Sequence, residues 1–117
     1  MKKIYHLGNC TTCQRIIKEL KLEQQGFEFQ EIKTEAITAD QLDAMKDKVG
    51  SYEALFSRRA MKYRGLGLHE KTLSEKDYRK YILEEYTFLK RPVILIEDEI
   101  FVGNTKKVVA AAAEKLK

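Results

Sequence analysis

Residues Lys2 to Leu20, K-K-I-Y-H-L-G-N-C-T-T-C-Q-R-I-I-K-E-L, decide how this chain folds. Lys2 to Leu7 reads as a strand, with Ile4, Tyr5 and Leu7 apolar and Gly8-Asn9 punctuating its end. The periodicity then changes. Cys13, Ile16, Ile17 and Leu20 fall at i, i+3, i+4 and i+7, which is one apolar face of a helix. A strand therefore runs through a two-residue turn directly into an amphipathic helix, and Cys10 stands at the junction.

Working outward, Gly26 is expected to cap that helix, and Phe27 to Lys33 alternates as a second strand. A strand-helix-strand opening implies parallel pairing of the two strands. Thr38 with Gln41 has the capping-box pattern and predicts a helix through Val49. Ser51 to Leu68 is less regular and suggests short helices broken by Gly65-Leu66-Gly67-Leu68. Ser74 with Asp77 predicts another helix start, with Tyr78, Ile82 and Tyr86 along one face. Val93 to Ile96 and Ile100 to Val102, around an acidic turn, read as a hairpin. Thr105 to Lys117 ends the sequence as a helix with Val108, Val109, Ala112 and Leu116 inward. The expected architecture is α/β, a mixed four-stranded sheet against helices.

Bulk composition narrows the function classes. At 117 residues, 44% hydrophobic and 34% charged, the chain has the size and composition of one globular domain, 1–117. The first apolar residues are too few for a signal peptide, and no run approaches a membrane span, so a cytoplasmic location is expected. The net charge of +4 favours an anionic ligand or partner. With no basic tail and no cationic stripe interleaved with aromatics, direct nucleic-acid binding is not expected.

The only cysteines, Cys10 and Cys13, form one C-x-x-C, too few for a secreted disulfide scaffold. Free N–H groups and the helix dipole concentrate positive potential at a helix N-terminus. A thiolate at Cys10 is stabilised there, so its pKa should fall, and the thiolate is the nucleophile. Cys13, one turn on along the apolar face, should be the more buried and could resolve a mixed disulfide. A zinc site would need two more ligands, and His6 and His69 have no standard spacing, so no metal is expected. His6 reads as a structural strand residue, and the lesser reading of the two cysteines is that they are merely small helix residues. Pro92, the only proline, opens a buried strand; its bond to Arg91 could be cis or an ordinary strand start. Arg58, Arg59, Arg64 and Arg91 are candidate oxyanion binders, since guanidinium forks match oxyanions bidentately.

Four stretches carry a family resemblance: Y-H-L-G-N-C-T-T-C at Tyr5 to Cys13, A-L-F-S-R-R-A-M-K-Y-R-G-L-G-L at Ala54 to Leu68, L-K-R-P-V-I at Leu89 to Ile94, and the V-G-N preceding the last helix. Together they resemble the arsenate reductase-like (ArsC/Spx) family of the thioredoxin-fold superfamily. The resemblance implies a thioredoxin-like fold with a helical insertion, about 38–88, between βαβ and ββα halves. It implies that Cys10 attacks arsenate or another oxidised substrate, with Cys13 or glutathione and glutaredoxin (or a thioredoxin-like dithiol protein) resolving the adduct and no bound cofactor. Arg91, with Arg58 or Arg59, would bind the oxyanion, and Pro92 would be cis. Gln14 stands where glutaredoxin-linked reductases carry an arginine, with Arg15 beside it as the substitute candidate. Lys106-Lys107 follows where a further arginine would lie. The C-x-x-C itself resembles Spx regulators, which bind the RNA polymerase alpha C-terminal domain, so the resemblance also admits a redox-sensing regulator.

Overall fold

The computed structural model describes residues 1–117 and divides into two compact units, Met1–Ala36 with Arg91–Lys117, and Ile37–Lys90. The first unit holds a four-stranded sheet of order β2-β1-β3-β4, made from β1 (Lys2–His6), β2 (Glu28–Glu31), β3 (Val93–Ile96) and β4 (Glu99–Val102). β1 pairs parallel with β2 and antiparallel with β3, and β3 pairs antiparallel with β4. The register lines up Phe29, Ile4, Ile94 and Phe101 across all four strands. Because neighbouring residues in a strand point to opposite faces, this row is one side of the sheet. On it pack Ile16, Ile17 and Leu20 of the first helical segment and Val109 and Ala112 of the last, forming the core of this unit.

Helix α1 spans Thr11–Glu19, shorter than the expected run to Gly26. The cause is visible just beyond its end. Lys21 takes a left-handed conformation (φ 55°), and Leu22–Gln24 form a single 3₁₀ turn that drives Leu22 fully into the core. The Gln25 amide donates to the Leu20 carbonyl at 2.6 Å, satisfying an acceptor that the helix leaves open. Gly26 (φ 76°) therefore closes the turn and not the helix.

The Ile37–Lys90 unit is helical. Its helices are α2 (Ala39–Val49), α3 (Met61–Gly65) and α4 (Glu75–Glu84). Both predicted capping boxes form, at Thr38 with Gln41 and at Ser74 with Asp77. The core of this unit is aromatic, with Phe56 stacked on Phe88 (centroids 5.0 Å apart) and beside Tyr78 (4.9 Å). Arg79 of α4 clasps the Asp43 carboxylate of α2 through Nε at 2.8 Å and a terminal nitrogen at 3.1 Å. Tyr86 does not continue the Tyr78–Ile82 face as expected. Glu85 turns extended (φ −144°, ψ 113°) and its carboxylate receives the Thr87 N–H at 3.3 Å, so a new 3₁₀ turn starts there.

The last helix, α5 (Lys106–Lys115), starts at a Thr105 cap and buries Val109 and Ala112. No helix is long and apolar enough to cross a membrane. Ile4 is fully buried at the centre of the four-strand row. Ile4→Ala is expected to lower stability by about 2–5 kcal/mol, read from urea unfolding curves.

Candidate thiol site at the start of helix α1

The two cysteines sit where β1 gives way to α1. Cys10 is the N-cap residue, in an extended conformation (φ −92°, ψ 111°), and its own N–H donates to the Leu7 carbonyl at 3.2 Å. That bond closes a tight turn over Gly8-Asn9. The Cys10 carbonyl already accepts the first helical bond, from the Gln14 N–H at 3.0 Å. The chain thus enters the helix with Cys10 at its head, beside the open amides of the first turn.

Cys10 is partly exposed and Cys13 fully buried, and both are free thiols. Burial pushes the Cys10 thiol up, but it is outweighed by the Cys13 N–H, the Cys13 thiol, the Thr12 N–H and the charge of Arg91. The net shift is downward, in the direction expected at a helix N-terminus. Cys13 moves the other way. Burial, reinforced by its hydrogen bond to Cys10 and by the Cys10 charge, pushes it up to about 11, against the opposing backbone of Leu7 and Arg91. One sulfur is poised to ionise and the other to stay protonated and donate to it.

Arg91 reaches this site through the sheet. β3 runs antiparallel to β1 with Val93 opposite Tyr5, so extending that register by two residues sets Arg91 across from Leu7. Its peptide bond to Pro92 is cis, and Gly103 donates its N–H to the Pro92 carbonyl at 2.9 Å. Its charge acts on both sulfurs.

The other candidate arginines are placed differently. Arg15 lies on the exposed side of α1, along an open groove of about 540 Å³ shared with Gly8, Asn9, Thr11, Gln14 and Lys18. Arg58 belongs to the Ile37–Lys90 unit, where its guanidinium is held by Glu53 at 2.8 Å and by the Tyr78 hydroxyl at 3.0 Å. Arg59 is exposed in the same unit, its backbone N–H meeting the Ser57 hydroxyl at 3.4 Å.

Gln14 does something that sequence reasoning missed. Its amide donates to the Gly8 carbonyl at 3.3 Å and to the Leu7 carbonyl at 3.5 Å, fastening the turn ahead of Cys10. The available signal was its position one turn into α1 and on the same side as Cys10, where a side chain points back over the N-terminus. His6 stays in β1, its ring edge-on to Phe29 with centroids 5.6 Å apart.

A mixed four-stranded sheet with a C-x-x-C at the head of the first helix defines an α/β protein of thioredoxin type. Residues 5–112 match the model of the ArsC family, and the chain belongs to that family. Among curated proteins it is similar to the global transcriptional regulator Spx 2 of Bacillus anthracis, with 25% identity over 88% of this chain and 79% of that protein. Among solved structures it resembles the arsenate reductase from Vibrio cholerae (TM-score 0.79, 16% identity, 94% of this chain and 95% of that one). It also resembles a protein from Staphylococcus aureus (TM-score 0.76, 27% identity, 95% of this chain and 97% of that one).

The opposed shifts of the two thiols give a direct measurement. Alkylation by iodoacetamide is expected to label Cys10 with a pH midpoint below the ordinary thiol value of about 8.5, with Cys13 unlabelled at neutral pH. Since a cation favours the ionised form, Arg91→Gln should move the Cys10 midpoint up.

Proposed function

We propose that this chain is a thiol-dependent reductase, with Cys10 as nucleophile and Cys13 as resolving thiol. The observation that carries the reading is the asymmetry of the pair. The partly exposed sulfur is stabilised as an anion by two backbone amides and an arginine, and the buried one is held protonated against it. A spectator pair of small helix residues has no need of that arrangement.

With a disulfide substrate, the Cys10 thiolate attacks one sulfur, the S–S bond breaks, and the leaving sulfur departs as thiolate. Cys13, on losing its proton, then attacks the Cys10 sulfur and expels the second half. The product is a Cys10–Cys13 disulfide, and two electrons have passed to the substrate. With arsenate, the thiolate displaces one oxygen as hydroxide or water. A second thiol then attacks the Cys10 sulfur, and the S–As electron pair stays on arsenic, reducing As(V) to As(III). In either case an external thiol, glutathione or a dithiol protein such as glutaredoxin or thioredoxin, restores the cysteines. Such donors place the reaction in a reducing, cytoplasmic compartment.

Arg91 is the guanidinium we assign to the anionic substrate, since its charge already bears on both sulfurs. Arg15 borders the approach along the α1 groove. Arg58 spends its fork on Glu53 and Tyr78, and Arg59 remains an exposed second candidate. Gln14 fastens the loop but brings no charge, and Lys106-Lys107 offers point charges without a bidentate fork. These features favour a thiol or disulfide substrate over a compact, doubly charged oxyanion.

A second reading rests on Cys13 and on the similarity to Spx 2. There the Cys10–Cys13 disulfide is a switch, and the output is binding to the RNA polymerase alpha subunit.

Purified protein supplied with glutathione and glutaredoxin is expected to reduce a model disulfide faster than arsenate. Cys10→Ser should abolish turnover, while Cys13→Ser should accumulate a mixed disulfide detectable by mass. No turnover with either acceptor would remove the reductase reading. The regulator reading predicts instead that the immobilised alpha C-terminal domain captures this chain, and that capture changes when the cysteine pair is oxidised.

A further inference from the structure

The turn that presents Cys10 is fastened from two directions. Gln14 holds its carbonyls, as described above. Its first amide is held from the far side of the sheet edge, by Glu31 at the end of β2. The Gly8 N–H donates to Glu31 Oε1 at 2.9 Å. The other oxygen, Oε2, takes the Lys33 N–H at 2.9 Å, the Thr34 N–H at 2.8 Å and the Thr34 hydroxyl at 3.1 Å. One carboxylate thus receives four donors from two separate loops, with β1 and β2 already in register at His6 opposite Glu31.

We infer that Glu31 is a positioning residue for the nucleophile, its carboxylate stapling the Gly8 amide to the Lys33–Thr34 turn so that the Cys10 sulfur stays on the first-turn amides of α1. Gly8 opens the two-residue turn closed by Cys10 N–H on the Leu7 carbonyl, so its peptide plane helps fix where Cys10 begins. Fixing the Gly8 amide through Glu31 and the Leu7 and Gly8 carbonyls through Gln14 leaves the two peptide planes flanking Gly8 little freedom. A Cβ added at Gly8 would lie 3.6 Å from Glu31 Oε1 and 3.7 Å from its Cγ, so the staple packs against the turn as well as bonding to it. The donors also hold the Glu31 carboxyl below its usual range, the Gly8 amide first and Thr34 next. It therefore stays a charged, acceptor-only group at neutral pH.

The sign of the effect separates positioning from simple electrostatics. Glu31 is an anion, and deleting an anion near a thiolate would by Coulomb's law ease ionisation. Loss of positioning does the opposite, because the sulfur drifts from the amides that stabilise it. The inference rests on the reading of Cys10 as an activated thiol, so the experiment carries a second readout that does not.

The test compares wild type, Glu31→Gln and Glu31→Ala by the pH profile of Cys10 alkylation and by amide exchange at Gly8, with Glu35→Gln as a control for charge on the same loop. The midpoint should rise in the order wild type, Gln, Ala, because glutamine keeps one acceptor oxygen but presents an N–H₂ to the Lys33–Thr34 amides. The rate at pH 7 should fall by up to about tenfold in Glu31→Ala, the size of one lost charge-assisted hydrogen bond. The limiting rate at high pH should not change, and Gly8 should lose exchange protection. Should Cys13 become labelled at neutral pH in Glu31→Ala, that variant has opened globally and Glu31→Gln alone decides. A midpoint that is unchanged or lower in Glu31→Gln, or undiminished protection at Gly8, would overturn the assignment. An ordinary midpoint in the wild type, with Gly8 protection still dependent on Glu31, would sink the reductase reading and leave the staple standing.

Discussion

The first turn of α1 has amide N–H groups with no carbonyl one turn earlier to receive them, and those of Thr12 and Cys13 favour the ionised form of the Cys10 sulfur beside them. A sulfur in that position is partner to the helix and a reactive group at once. Its ionised form is the better acceptor, so satisfying the helix end and activating the thiol are the same interaction. The arrangement depends on the chain leaving β1 and entering α1 within a single tight turn. β1 is hydrogen-bonded on both sides, to β2 and to β3, so the point of departure is held by an interior strand of the sheet.

The same sheet delivers the counter-charge. Arg91 sits just ahead of β3, and the antiparallel register carries it to the end of β1 where the cysteines lie. A residue distant in sequence thereby contributes to both thiols. The two sulfurs lie one helical turn apart, yet their environments diverge, because one is at the rim and the other beneath it. Burial penalises ionisation at both positions, and only at Cys10 do enough donors converge to reverse it. This division of labour is why the motif suits stepwise thiol exchange, in which one thiol must be an anion while the other waits protonated.

The Ile37–Lys90 unit is organised by different interactions. Aromatic stacking about Phe56 fills its centre, and the Arg79–Asp43 pair spans two of its helices. The Asp43 carboxyl is pulled down to about 2, chiefly by Arg79 and then by the Tyr52 hydroxyl. Arg58 is likewise drawn into local pairing with Glu53 and Tyr78. An arginine in a suggestive sequence position can therefore be occupied structurally, and only side-chain geometry reveals which ones are.

Much of this was legible in the residues. Apolar spacing identified β1, α1 and the hairpin, and the pairs Thr38–Gln41 and Ser74–Asp77 marked two helix starts. Those signals are local, set by backbone geometry within one or two turns, and the chain carries them unaided. The motifs from Tyr5 to Cys13 and from Leu89 to Ile94 also pointed to the family. The helix ends were not legible. α1 stops at Glu19 because burial of Leu22 outweighs continued periodicity, and α4 stops at Glu84 because Glu85 caps the next turn. Nor could spacing show that Arg91 faces the cysteines, that Gln14 fastens their loop, or that Glu31 reaches Gly8. Local hydrogen bonding and periodicity were determined by sequence alone. The surroundings of the thiols were decided only when strand pairing brought residues 8, 31 and 91 to one end of the sheet, because electrostatics and hydrogen bonds act over ångströms in space and not along the chain.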